Sequence, residues 1–259
     1  MSSATTGYFR PGQSWLHRRN PVTKLLGLLW ALLAGFLLGP PVLALLAVLV
    51  VIAATTSGLL AGLVRSLRIP ALLVVSILVV NALFFPGARE ILIGFGPLAV
   101  TREGLSFGLV SAARLLVAFM ASILFLFTTL ADDLLEALIA RGASHRIAFV
   151  ILSAVQLVPR LQGRAAAILE AQQARGLAVG GSLGTRLHAL LPLVGPILLG
   201  SLIDVRERTF ALEARAFGAR PGRTAYRIVA DPPIDRWLRL AELAGILAVV
   251  VAALTGWPG

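Results

Sequence analysis

Two segments forty residues apart are near-copies of each other: Glu170-Ala-Gln-Gln-Ala-Arg175-Gly176 and Phe210-Ala-Leu-Glu-Ala-Arg215-Ala216-Phe217-Gly218. In each, an arginine follows an alanine, Ala174 or Ala214, that keeps the surface around it thin. A helix end so built can enter a partner's groove, where the planar guanidinium forms a bidentate pair with a carboxylate. Gly176 supplies the left-handed residue that commonly ends a helix, and in the second copy Gly218 is available for that task. A plainer alternative stands beside this one: cations are favoured at helix C-termini by the dipole, whatever they bind. Glu170 and Glu213 are also near enough in sequence to neutralise the two arginines within the chain.

Other reactive chemistry is scarce. Cysteine is absent, which excludes thiolate metal sites, disulfides and a cysteine nucleophile. The three histidines, His17, His145 and His188, are too scattered for a metal cluster. Lys24 is the only lysine and lies outside any Gly-x-x-x-x-Gly-Lys-Ser/Thr pattern, so no phosphate loop is present. The stretch Gly94-Phe95-Gly96-Pro97-Leu98-Ala99 has a dinucleotide-like spacing but no surrounding βαβ unit. No catalytic residue, metal ligand or cofactor site is expected.

The elements that must carry the arginines belong in a membrane. The chain of 259 residues is 58% hydrophobic and 14% charged, with a mean hydropathy of +0.91, where soluble domains are about a quarter charged. Residues 25–64 hold no formal charge, about twice the ~20 residues that one helix needs to cross a bilayer. Gly39-Pro40-Pro41 divides them, which predicts spans at 22–38 and 42–60. Further spans are predicted at 69–88, 105–130 and 240–257, the last ending at the interfacial aromatic Trp257. Acids are expected to be absent from the spans, with Arg114, Ser76 and Asn81 as the polar interruptions. Arg114 reads as an interhelical hydrogen-bonding or snorkelling residue, and Asn81 as helix–helix glue. Gly58/Gly62 and Gly104/Gly108 have the spacing of close helix crossings or are incidental.

The net charge of +11 is read as a topological signal rather than a nucleic-acid footprint, because basic residues mark cytoplasmic segments of membrane proteins. Arg10, Arg18 and Arg19 put the N-terminus in the cytoplasm, and Arg65 and Arg68 follow on the same side. Residues 86–104 then face out, with Arg89 and Arg102 partly offset by Glu90 and Glu103. Residues 131–239 hold the majority of the 23 basic residues yet contain apolar runs at 147–159 and 187–203. The first is short for a span and the second is interrupted by Pro192, Gly195 and Pro196. Helical stripes run through both, Leu157, Leu161, Ala165, Ile168, Gln172 and Leu199, Ile203, Arg206, Phe210, Glu213. They predict two long helices, partly membrane-embedded or interfacial, with polar ends in the cytoplasm.

The expected fold is therefore an all-α integral membrane protein of the plasma membrane, with about five transmembrane helices plus long cytoplasmic or interfacial coupling helices. It comprises an N-terminal segment with four spans (1–130), a coupling-helix region (131–235) and a last transmembrane helix (236–259). The long helices' apolar surface is too large to leave solvated. Leu157, Leu161, Ile168, Leu199 and Ile203 are expected to meet either the bilayer or a small membrane partner.

At the level of motifs the chain resembles the transmembrane T component of energy-coupling factor transporters, the CbiQ family. Tyr8, Gly12-Gln13-Ser14, Leu16-His17 and Asn20-Pro21-Val22-Thr23-Lys24-Leu25 are similar to its opening segment. Thr128-Thr129 with Asp132-Asp133-Leu134-Leu135-Glu136-Ala137-Leu138 resembles its entry into the cytoplasmic helices, and Pro159 stands where the family has a proline. Ala174-Arg175-Gly176 matches the signature in full, and Ala214-Arg215-Ala216 matches it with alanine in the last place. The resemblance implies a non-catalytic scaffold joining two cytoplasmic ABC-type ATPase subunits to one small substrate-binding membrane subunit, for vitamin or transition-metal uptake. Each signature arginine would sit on one of two crossed coupling helices, in the groove of one ATPase. An ordinary permease subunit of an ATP-driven importer, and a standalone membrane carrier or enzyme, are the competing readings.

Overall fold

A computed structural model describes residues 9–86, 90–95, 98–177, 183–216 and 229–255. In chain order the elements are α1 (Pro21–Leu37), α2 (Pro40–Thr56), α3 (Leu60–Ser66), α4 (Ala71–Phe84), β1 (Ile91–Phe95), β2 (Leu98–Thr101), α5 (Arg102–Thr128), α6 (Ala131–Ile139), α7 (His145–Ala174), α8 (Leu183–Ala214) and α9 (Pro233–Leu254). They fall into two units: residues 1–141 with 229–259, and residues 142–228.

In the first unit α5 and α9 are long and apolar enough to cross a bilayer, and α3 with α4 qualifies as one span bent by 57°. The apolar helices α1 and α2 have 17 residues each, about 26 Å at 1.5 Å per residue, close to the hydrocarbon thickness. Prolines at the first positions of α1, α2 and α9 set the start of each helix, where a missing amide proton costs nothing. Some boundaries differ from the sequence expectation. The second span stops at Thr56 because Gly58, with φ +69°, turns the chain, and α3 starts in a new direction. The last begins at Pro233 rather than near 240, which adds Asp235 to α9; Glu242, inside the expected span 240–257, lies on it too, and the two correct the expectation of spans without acids. Tyr8 and Trp257 lie outside the described residues.

The turn region at 86–104 is not all loop. Alternating Ile91, Ile93, Phe95 and Leu98, Val100 form an antiparallel hairpin, Gly94 opposite Ala99. The dinucleotide-like stretch is thus part of a two-stranded ribbon, with Gly96 and Pro97 outside the described residues. Glu90 and Arg102 close its base with a 3.0 Å ion pair.

Helix ends of this unit meet at one face through polar contacts. Asn20 caps α1 by accepting from the Val22 amide at 3.0 Å. Its own backbone N–H donates to Asp235 Oδ2 at 3.0 Å, and its side-chain amide donates to the Ala230 carbonyl at 3.1 Å. Asn20 and Asp235 are fully buried, and the Arg19 guanidinium stands 3.5 Å from Asp235. Lys24 Nζ donates to the Thr128 carbonyl at 2.6 Å, where α5 ends. Asp231 takes a bidentate pair from Arg239, at 2.7 and 3.0 Å, and a third bond from Arg141 at 3.2 Å. Several residues of the family-like opening segment therefore join α1, α5 and α9 at a single level.

The α4–α5 contact rests on small residues. A Cβ on Gly104 would collide with the Asn81 carbonyl, and one on Gly108 would lie 3.2 Å from Asn81 Cβ. Gly104/Gly108 is thus a true crossing pair, whereas Gly58 is a turn residue. Asn81 is not interhelical glue: its side chain donates to the Ile77 carbonyl of its own helix at 2.8 Å. Half-buried Arg114 hydrogen-bonds to none of the described residues, and its Nε is buried without a partner, so it is not an interhelical hydrogen bond.

Gly104→Val is expected to destabilise the protein by about 1–3 kcal/mol through overpacking. Gly163→Ala, on α7 with open space around it, is expected to raise stability by up to ~1 kcal/mol through helix propensity. Thermal unfolding in mild detergent reads both. The hydrogen bond from Arg239, aided by the charges of Arg239 and Arg141, holds the Asp231 carboxyl below its ordinary value near 3.8. A depressed carboxyl stabilises the fold above the unfolded value and loses that effect as pH falls through the folded one. The melting-temperature gap between the parent and Asp231→Asn should therefore be full at pH 6 and shrink below about pH 4.

Candidate functional site

The second unit is built from α7 and α8, of 30 and 32 residues. Pro159 lies inside α7, and Pro192 and Pro196 lie inside α8, which continues through both. Each proline removes one intrahelical bond, a local cost that helices of eight turns and more survive.

The two helices pair through a half-buried contact that sequence reading did not single out. Arg164 of α7 donates from Nη2 to Oδ1 of Asp204 on α8 at 3.0 Å, and the same nitrogen stands 3.0 Å from Oδ2 in an ion pair. A Cβ on Gly200, one turn before Asp204, would lie 2.8 Å from Arg164 Nη1, so the absence of a side chain there makes room for the guanidinium. Around this pair the inward face of α8 is Leu193, Ile197, Gly200, Ser201 and Asp204. On α7, Leu161, Ala165, Ile168 and Gln172 are half-buried, while Leu157 is exposed. The α8 stripe points the other way: Leu199, Ile203, Arg206, Phe210 and Glu213 are all exposed. The signal that finds the pair in sequence is the repeat itself, because Arg164 and Asp204 are separated by the same forty residues as Arg175 and Arg215.

Each helix ends on its signature. On α7 the Gly176 amide donates to the Gln173 carbonyl at 2.9 Å and the Leu177 amide to the Gln172 carbonyl at 3.0 Å. Gly176 has φ +94°, so Arg175 is the C-cap residue of a Schellman motif. On α8 the Ala216 amide donates to the Glu213 carbonyl at 2.9 Å, the same bond in the same place. Ala216 itself takes the left-handed conformation, φ +53°. It is the only non-glycine residue among those described to do so, and it corrects the expectation that Gly218 caps this helix; Gly218 lies outside the described residues. Arg215 is thereby placed as Arg175 is, one residue before the turn.

Both arginines are exposed, as are Ala174, Ala214 and Glu213, and neither guanidinium has a hydrogen-bond or ion-pair partner among the described residues. Glu170 and Glu213 do not neutralise them. Two arginines that pair with none of the described residues thus stand at the negative ends of two helix dipoles, each about 16 Å, or eleven residues, beyond the residue of the Arg164–Asp204 bridge on its own helix. Such an end is chemically suited to receive a carboxylate. Among the described residues no group of His, Asp and Glu is placed to hold a metal ion.

Comparison with known proteins agrees with this geometry. The family model CbiQ, described as cobalt transport protein, matches residues 12–226. The chain belongs to the CbiQ family. It is 29% identical over 265 residues to an energy-coupling factor transporter transmembrane protein EcfT of Acidaminococcus fermentans, covering 98% of this chain and 97% of that one. It is 32% identical over 239 residues to the EcfT of Heliobacterium modesticaldum, covering 88% and 89%. A longer chain of Bifidobacterium longum, named as an ABC transporter ATP-binding protein, is 28% identical over 254 residues, which are 93% of this chain and 32% of that one. As a CbiQ-family protein the chain is a membrane component of a transporter.

A left-handed alanine costs roughly 1 kcal/mol more than glycine in that conformation. Ala216→Gly should therefore slow amide exchange in the last turn of α8, and Gly176→Ala should speed it in α7, each by roughly fivefold at that cost.

Proposed function

We propose that this chain is the transmembrane coupling component of an energy-coupling factor importer, and that Arg175 and Arg215 are its docking points for two cytoplasmic ABC-type ATPase subunits. The observation that carries this reading is the like capping of two long helices by exposed arginines that have no hydrogen-bond or ion-pair partner among the described residues. The Bifidobacterium longum relative supports it too, since a stretch like this chain makes up about a third of a protein named for binding ATP. The chain itself has no phosphate loop, so the hydrolysis step falls to the partners.

Closing of the ATPase pair would move both helix ends, and the helices would pass that motion to a small substrate-binding membrane subunit. Leu157, Leu161, Ile168, Leu199 and Ile203 belong to the surface that meets this subunit or the bilayer. The exposed run Val194, Leu198, Leu199, Leu202 and Ile203 on α8 is more apolar than water tolerates at a monomer surface. Arg10, Arg18 and Arg19 support an N-terminus in the cytoplasm. Two coupling ends on one chain favour this arrangement over a permease of the ordinary kind, which contributes one end and works as a pair.

Arg175→Glu and Arg215→Glu should each weaken copurification of the ATPase subunits at least tenfold, because like charges then face each other in a desolvated contact. The double variant should abolish uptake while membrane insertion persists. Undiminished uptake by the double variant would refute the assignment. Photocrosslinking from positions 199 and 203 in the coexpressed assembly separates the two faces: adducts to the small subunit support contact with it, and adducts to lipid alone assign that face to the bilayer.

A further inference from the structure

Within the first unit two adjoining cavities share Trp15 and Arg19. One, of about 470 Å³, is bounded by Gln13, Trp15, Arg18, Arg19 and Pro232, with the polar groups of Gln13, Arg18 and Arg19 on its wall. The other, of about 370 Å³, runs between α1, α2, α5 and α9 along Leu28, Leu46, Leu49, Val50, Leu124 and Phe125. Its few charged groups lie in a wall that is close to neutral: Lys24 bonds to the Thr128 carbonyl, and Glu242 is its opposite in charge. The helix ends gathered around Asn20 and Thr128 put both cavities at one membrane face, since α1 and α9 begin there and α5 ends there. Trp15 stands between the two and donates to Thr56 Oγ1 at 3.0 Å, the place an interfacial indole takes.

Charge decides what such a pair of spaces would accept. Arg19 faces Asp235 at 3.5 Å, but Arg18 is exposed and pairs with none of the described residues. An aqueous anion would fill the polar cavity and leave the apolar one empty. A zwitterionic lipid would bring its own cation to Arg18. We propose that the joined cavities hold one anionic phospholipid, its phosphate against Arg18 and Arg19 and an acyl chain in the apolar slot beside Leu49 and Val50.

The test uses the full chain in mild detergent, delipidated and then given phosphatidylglycerol or phosphatidylcholine. Native mass spectrometry should show one phosphatidylglycerol retained per chain and phosphatidylcholine retained at least about tenfold less. Arg18→Glu should cut retention of phosphatidylglycerol by roughly tenfold or more. Arg68→Glu, a cation outside both cavities, should leave it unchanged. Phosphatidylglycerol brominated on its acyl chains should quench tryptophan fluorescence, and Trp15→Phe should remove part of that quenching, so the slot is read without disturbing the core. Equal retention of the two lipids, equal loss in Arg18→Glu and Arg68→Glu, or displacement of the lipid by inorganic phosphate with no change in quenching by the brominated lipid would each overturn the proposal.

Discussion

A buried carboxylate ties the beginning of this chain to its end. Asp235, in the first turn of α9, receives the backbone N–H of Asn20, the residue that caps α1. Both side chains are withdrawn from solvent, and a buried charge is tolerable only when hydrogen bonds and an opposite charge surround it. The Asn20 amide supplies the first and Arg19 the second. Because more than 200 residues separate the partners, the contact joins the two chain segments that make up the first unit. Lys24 then brings in the end of α5, and Asp231 brings in the end of α6 through Arg141. A set of apolar helices, which slide easily against one another in lipid, thereby acquires a fixed level along the membrane normal.

The second unit ends two helices on exposed arginines that pair with none of the described residues. A Schellman turn does this on α7 because glycine enters the left-handed region freely. On α8 an alanine is held in the same region, and the near-equality of the two caps shows that the position of the arginine, rather than the comfort of the residue after it, is what the repeat preserves.

Much of this was legible in the residues. Charge-free runs and proline-glycine punctuation located the spans, and the Ala-Arg repeat marked both helix ends, because these signals are local. What was missed depends on pairing. Asp235 falls before the expected boundary near 240, and only the start of α9 at Pro233 makes it part of the helix. The hairpin at 91–101 has the alternation of strands but lies where an outer loop was expected. Arg164 and Asp204 each look like ordinary polar residues of an amphipathic helix until the two helices touch.

The bridge between Arg164 and Asp204 joins the same station of each repeat. Measured from that pivot, the two limbs that end in Arg175 and Arg215 are of one length. A small rotation about the pivot therefore sweeps both tips through equal arcs. An inserted turn on one side alone would lengthen that limb by about 5.4 Å and leave the pair with unequal strokes, so length between pivot and tip is a quantity this architecture holds constant on both sides.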